Sequence, residues 1–94
     1  MEIDAARQIG MLVLRPIGRV DDLTSAGFQD RLLVAMRTGT ADVIVDFTEV
    51  EYISSAGLRA LMAASKQKPK ERRLVVAALS RVVGEIFAIA GFPR

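Results

Sequence analysis

The 94 residues suffice for one domain and not two, and 51% apolar against 26% charged residues describes a chain that folds. With neither cysteine nor histidine, the sequence excludes disulfides, thiolate metal sites, cysteine nucleophiles and the commonest general base. The net charge of +2 conceals a division, with residues 1–51 balancing at −4 and residues 52–94 at +6, a polarity that can steer a partner without naming one.

The first ten residues are acidic and lack the apolar stretch of a secretion signal, and no run approaches the ~20 apolar residues that span a bilayer. The cytoplasm is therefore the expected compartment. Mean hydropathy is +0.30, which suits an apolar face that meets a partner. Two runs flanking Gly10, Ile3–Arg7 and Met11–Arg15, predict a β-hairpin. Pro16 lacks a backbone donor and places the end of the second run at an edge or a bulge. Gly18 and the pair Asp21-Asp22 signal a turn, after which Thr24 is the expected N-cap of a helix. Phe28, Leu32, Ala35 and Met36 recur at helical spacing, with Gly39 as the stop.

Val43 to Phe47 is almost continuously apolar and β-branched, the habit of a central parallel strand covered on both faces. A turn through Thr48-Glu49 leads to Val50, Tyr52 and Ile53, then Ser54-Ser55-Ala56-Gly57. Leu58, Leu61, Met62 and Ser65 form a second helical stripe. The basic residues Lys66, Lys68, Lys70, Arg72 and Arg73 follow without interleaved aromatics, so they read as a solvated helix end and loop and not as a nucleic-acid surface. Leu74 to Leu79 predicts another buried strand. Ser80 caps a third helix carrying Val82, Val83, Ile86, Phe87 and Ala90, closed by Gly91 and Pro93. The expected order is β-β-α-β-α-β-α, an α/β fold with a mixed, mostly parallel sheet.

Function concentrates at Ser54-Ser55. Serines at a helix start cap free backbone N–H groups. The same place also suits a phosphate, because backbone amides and the helix dipole favour an added anion there. Gly57 serves either close packing or the approach of a partner to the backbone. Catalysis has little to work with: no phosphate-cradling glycine loop is present, and Asp46 fits a turn-capping role better than a catalytic one.

The string from Asp46 to Leu61, DFTEVEYISSAGLRAL, resembles the signature of STAS domains, in particular the anti-sigma factor antagonists. Gly18-Arg19-Val20-Asp21 with Thr24 resembles that family's turn into its first helix, and Ile89-Ala90-Gly91-Phe92 resembles the end of its third. The resemblance covers nearly the whole of residues 1–94 and implies a single STAS-like domain without catalysis, cofactor or metal of its own. It implies a partner switch. The unphosphorylated protein binds an anti-sigma factor that is itself a serine kinase with a GHKL-type ATP site. Phosphorylation then dissolves the complex, and a separate phosphatase resets it. By motif position the acceptor is Ser55, with Ser54 the alternative, and the contact surface comprises Asp21, Thr24, Ser54, Ser55, Gly57 and Leu58. The family often carries Asp where this sequence has Ser54. Its members also continue past the Gly-Phe position with a short extended segment and a final helix. Either the sequence is cut short of these elements or the protein lives without them, and in the second case it is expected to expose an apolar surface that a homodimer would cover. The alternative function is that of a non-phosphorylated structural STAS module in a transporter or stressosome-like assembly.

Overall fold

The computed structural model describes residues 2–8, 10–39 and 41–77. Six strands and two helices follow one another as β1 (Ile3–Gln8), β2 (Met11–Pro16), β3 (Gly18–Val20), α1 (Ser25–Arg37), β4 (Asp42–Asp46), β5 (Val50–Ile53), α2 (Ser55–Gln67) and β6 (Leu74–Ala77). The main sheet has the order β1-β2-β4-β6, with β1 antiparallel to β2 and the other neighbours parallel. This is the mixed, mostly parallel sheet expected. The end of the strand predicted to reach Leu79, and the third helix predicted from Ser80 onward, lie outside the described residues.

Two strands escaped the sequence reading. β3 and β5 pair in parallel as a separate two-stranded sheet, with a register shift between Gly18 and Arg19. They follow β2 and β4 after two breaks in the strands, at Ile17 and at residues 47–49. At the first break Gly18 adopts a φ of 96°, which only glycine takes without strain, and its N–H donates to the Glu49 carbonyl at 2.9 Å. At the second, Asp46 Oδ1 accepts from the Thr48 N–H at 2.9 Å and from the Thr48 hydroxyl, turning the chain out of β4.

Pro16 ends an interior strand at a point where one side of it is a local edge. The Ile17 N–H donates to the Glu2 carbonyl across the hairpin, so the Pro16 nitrogen faces the other side, past the last β2–β4 pair, Leu14 with Val45. No ladder bond is lost there. β4 has one closed face, with Val43, Val45 and Phe47 fully buried, while Ile44 on the opposite face is only half-buried.

All four residues predicted to line α1 (Phe28, Leu32, Ala35, Met36) are buried, and Gly39 at φ 70° follows the helix end. The Phe28 and Phe47 rings meet at 6.3 Å, tilted by 56°. In α2 the predicted stripe is displaced. Leu58 and Leu61 are buried as expected, but Met62 and Ser65 are exposed, and Gly57, Ala60 and Ala64 take the inward positions. Small residues on that face allow close approach to α1 and to the β3–β5 pair.

The basic run also needs correction. Lys66, Lys70 and Arg73 are exposed, but Arg72 is 4% exposed. Its guanidinium donates to the carbonyls of Ala35, Met36, Thr38 and Ala41, at the C-terminal end of α1 and the start of the approach to β4. Arg73 pairs with Asp42 at 3.0 Å, and the Lys68 ammonium donates to the Arg72 carbonyl at 2.7 Å.

Candidate functional site

The β3–β5 pair brings two turns together. The Ser54 N–H donates to the Val20 carbonyl at 2.8 Å, which sets the start of α2 beside the segment Asp21–Thr24 that leads into α1. The Ser54 hydroxyl lies 3.5 Å from the Asp22 carboxylate, a long contact that joins the two turns on one surface.

The two serines have different jobs. Ser54 is the N-cap of α2: its backbone is extended (φ −84°, ψ 174°) and its hydroxyl oxygen accepts from the Gly57 N–H at 3.2 Å. Ser55 is the first helical residue and is exposed, and its hydroxyl makes no hydrogen bond among the described residues. It therefore stands in the positive field of the helix start with its oxygen presented outward.

Thr24 precedes α1 as expected, yet its side chain does not cap the helix. Its hydroxyl accepts from the Asp21 N–H and donates to the Arg19 carbonyl, both at 2.9 Å, closing the turn on itself. Asp21 organises the turn that leads into the helix. Its Oδ1 accepts from the N–H groups of Leu23 (3.0 Å) and Thr24 (3.3 Å), and its carbonyl accepts from the Ser25 N–H at 2.8 Å. Arg19 then spans the pair of short strands, 3.6 Å from the Asp21 carboxylate and 4.6 Å above the Tyr52 ring.

Of the six residues expected to form a contact surface, Asp21, Thr24 and Ser54 are half-buried and Ser55 is exposed, whereas Gly57 and Leu58 are buried. The two readings of Gly57 are decided by packing. A Cβ there would meet Ile53 Cγ1 at 2.7 Å, Val20 Cγ1 at 2.8 Å and the Val20 carbonyl oxygen at 2.9 Å. Gly57→Ala would gain about 1 kcal/mol of helix propensity but overpacks a site bounded by backbone, which costs typically 1–3 kcal/mol. Because the Val20 carbonyl is itself held by Ser54, the overpacking should win. We expect a melting temperature lower by roughly 4–8 °C, and thermal unfolding that left it unchanged would refute this packing account.

Three carboxyls are held below the usual range, Asp21 in the site and Asp42 and Asp46 at the two ends of β4. Partial desolvation alone would raise Asp21, but bonds from the Leu23 N–H and from Thr24, with the Arg19 charge, hold it down. The Arg73 N–H and guanidinium lower Asp42. The Thr48 hydroxyl lowers Asp46, outweighing desolvation and assisted by the Thr48 N–H and Arg15. A depressed folded-state value stabilises the fold above the unfolded value of about 3.9 and is lost as pH falls through the folded value. With no histidine, no side chain of ordinary pKa titrates between about pH 5 and 8. Stability measured by urea unfolding should therefore be flat from pH 8 to 5 and fall below about pH 4. Asp21→Asn should flatten part of that acid limb, and a slope appearing between pH 6 and 7 would contradict the assignment.

Sequence reasoning missed Leu23, which is 94% exposed on the turn between Asp22 and Thr24. A single leucine among acids and a threonine carries no periodic signal, so only its exposure reveals it. Among the described residues no cluster of three or more metal-ligating side chains stands together, and no helix is long and apolar enough to cross a membrane.

Comparison with known proteins agrees with this architecture. A family model described as "Mlab, STAS domain" matches residues 2–94. A protein of Bordetella bronchiseptica described as the anti-sigma factor antagonist BtrV is 33% identical over 84 residues, spanning 88% of this chain and 72% of its own length. Among solved structures, an anti-sigma factor antagonist from Mycobacterium paratuberculosis superposes with a TM-score of 0.87 at 21% identity, covering 98% of this chain and 82% of that one. The antagonist SpoIIAA in its unphosphorylated form superposes at 0.73 and 17% identity, over 96% of this chain and 81% of that one. The chain belongs to the STAS domain family of anti-sigma factor antagonists, a family that is regulatory and not enzymatic.

Proposed function

We propose that this protein works as a cytoplasmic anti-sigma factor antagonist in a partner switch governed by phosphorylation of Ser55. Unphosphorylated, it binds a serine-kinase anti-sigma factor of the GHKL type through the surface around Asp21, Thr24, Ser54 and Ser55, and so frees a sigma factor. The kinase transfers phosphate to Ser55, the complex separates, and a phosphatase restores the first state. Gly57 and Leu58, which are buried, serve this surface by fixing the start of α2 and not by direct contact.

The observation that carries the proposal is the division of labour between the serines, with Ser54 occupied as the cap and Ser55 exposed at the first position of α2. Phosphate on Ser55 would add roughly −1.5 to −2 charges at a helix start that stabilises them, while blocking a flat contact. The test is incubation with the serine-kinase anti-sigma factor of the same genome and ATP, followed by mass spectrometric mapping. Phosphate on Ser55 and loss of the complex are expected. An unmodified protein that forms no complex would favour the second reading, a STAS module that is never phosphorylated. That reading draws on the family model, whose own description is the Mlab STAS domain.

A further inference from the structure

We infer that Leu23 is the apolar anchor by which the anti-sigma factor grips this surface, and that the partner presents an apolar pocket with a basic rim to receive it; the inference rests on the partner-switch reading above. Leu23 is 94% exposed, far more than Val34 at 62%, Met62 and Val75 at 40% or Tyr52 at 36%. A single exposed leucine is ordinary when its backbone is loose. Here the backbone is fixed. The Leu23 N–H is bound by Asp21 Oδ1, the neighbouring Thr24 N–H by the same carboxylate, and the Thr24 hydroxyl ties the turn back to the Arg19 carbonyl. Arg19 in turn is held against Asp21 and Tyr52. The turn thus holds the backbone that carries Leu23 in one conformation before any partner arrives, which lowers the ordering cost of docking.

Position and charge select the occupant. Leu23 adjoins Asp22, whose carboxylate is 3.5 Å from the Ser54 hydroxyl, so the anchor and the Ser55 surface are continuous. The Asp21 carboxylate is engaged by Arg19 and by backbone donors, whereas Asp22 is exposed and pairs with none of the described cations. A pocket for Leu23 must therefore carry a cationic or donor group at its edge to match Asp22. The same edge would meet an added phosphate only after rearrangement, because Asp22 already holds that ground.

The test measures binding of the same-genome serine-kinase anti-sigma factor to the wild type and to Leu23→Ala, Leu23→Lys, Leu23→Met and Ser55→Asp by isothermal titration. Leu23→Ala should weaken binding roughly tenfold to a hundredfold, Leu23→Lys should weaken it further, and Leu23→Met should stay within about threefold of the wild type. Because the side chain touches almost nothing in the free protein, none of the three should lower the melting temperature by more than about 2 °C, the scale of an ordinary surface substitution. If the wild type binds, Ser55→Asp does not, and Leu23→Ala binds as the wild type does, the anchor is wrong and the switch stands. If the wild type binds no anti-sigma factor, both fall.

Discussion

Arg72→Ala is expected to destabilise the protein by about 3–4 kcal/mol, more than any other single substitution among the polar residues described. At 4% exposure the guanidinium donates to four carbonyls: Ala35 at 2.9 Å, Thr38 at 2.9 Å, Ala41 at 2.7 Å, and Met36. The last carbonyls of an α-helix have no intrahelical partner, and in α1 they are met from outside. The Thr38 hydroxyl takes the Val34 carbonyl at 2.7 Å, and Arg72 takes those of Ala35 and Met36. A cation at this end also opposes the negative pole of the helix dipole. Alanine would leave these acceptors buried without donors and a cavity where the side chain lay.

The size of the effect can be bracketed by neighbours. Arg73 also makes an ion pair, with Asp42 at 3.0 Å, but three-quarters of its side chain is exposed, so Arg73→Ala should cost under about 1 kcal/mol. Arg72→Lys keeps the charge but not the planar fork of donors, and it should fall between the two. In thermal unfolding at pH 7, Arg72→Ala should lower the melting temperature by roughly 12 °C or more. A change within about 2 °C would mean the carbonyl cluster contributes nothing beyond what water would supply.

Arg72 also shows what a sequence can and cannot announce. It lies in a run of five bases within eight residues, a pattern that elsewhere marks a solvated surface. Lys66, Lys70 and Arg73 do behave that way. Arg72 differs only because the chain doubles back after Pro69, whose carbonyl accepts from the Arg72 N–H at 3.2 Å, and aims the side chain at the end of α1, more than thirty residues earlier. No local pattern records such a meeting. The α1 face was legible because Phe28, Leu32 and Met36 are large and recur at helical spacing with Ala35 between them. The α2 face was half legible, since Gly57, Ala60 and Ala64 bury themselves by being small and score as neutral. β3 and β5, of three and four residues, are too short for alternation to declare them, although they set the two turns of the site side by side.

At the site itself, the family resemblance of the block from Tyr52 to Leu61 directed attention to a serine, and the geometry distinguishes the two serines. The distinction turns on where the first helical bond forms: the Leu58 N–H donates to the Ser54 carbonyl at 2.9 Å, which makes Ser54 the cap and Ser55 the first residue of the helix. A shift of one residue would have exchanged their roles, and sequence alone does not resolve helix starts that finely.

The exchange of roles yields the second prediction. Ser54→Ala should cost about 1 kcal/mol of stability, the usual value of a lost N-cap, and leave phosphate transfer to Ser55 intact. Ser55→Ala should leave stability within about 0.5 kcal/mol of the wild type, as for an exposed side chain without partners, abolish transfer, and bind the anti-sigma factor constitutively. Ser55→Asp should bind at least about a hundredfold more weakly, because Asp22 already takes the cationic edge of the contact and a second charge brought into it lacks a counter-ion of its own, which costs several kcal/mol. The helix dipole acts in the opposite sense within the free protein, where an anion at the first position of α2 is favourable. Ser55→Asp should therefore be at least as stable as the wild type while losing its partner. That pairing of outcomes separates a switch from simple damage to the fold. Calorimetric melting and a binding titration on the same four proteins would read both axes. A Ser54→Ala protein that escapes phosphorylation while Ser55→Ala accepts it would move the acceptor to the capping serine and overturn the assignment.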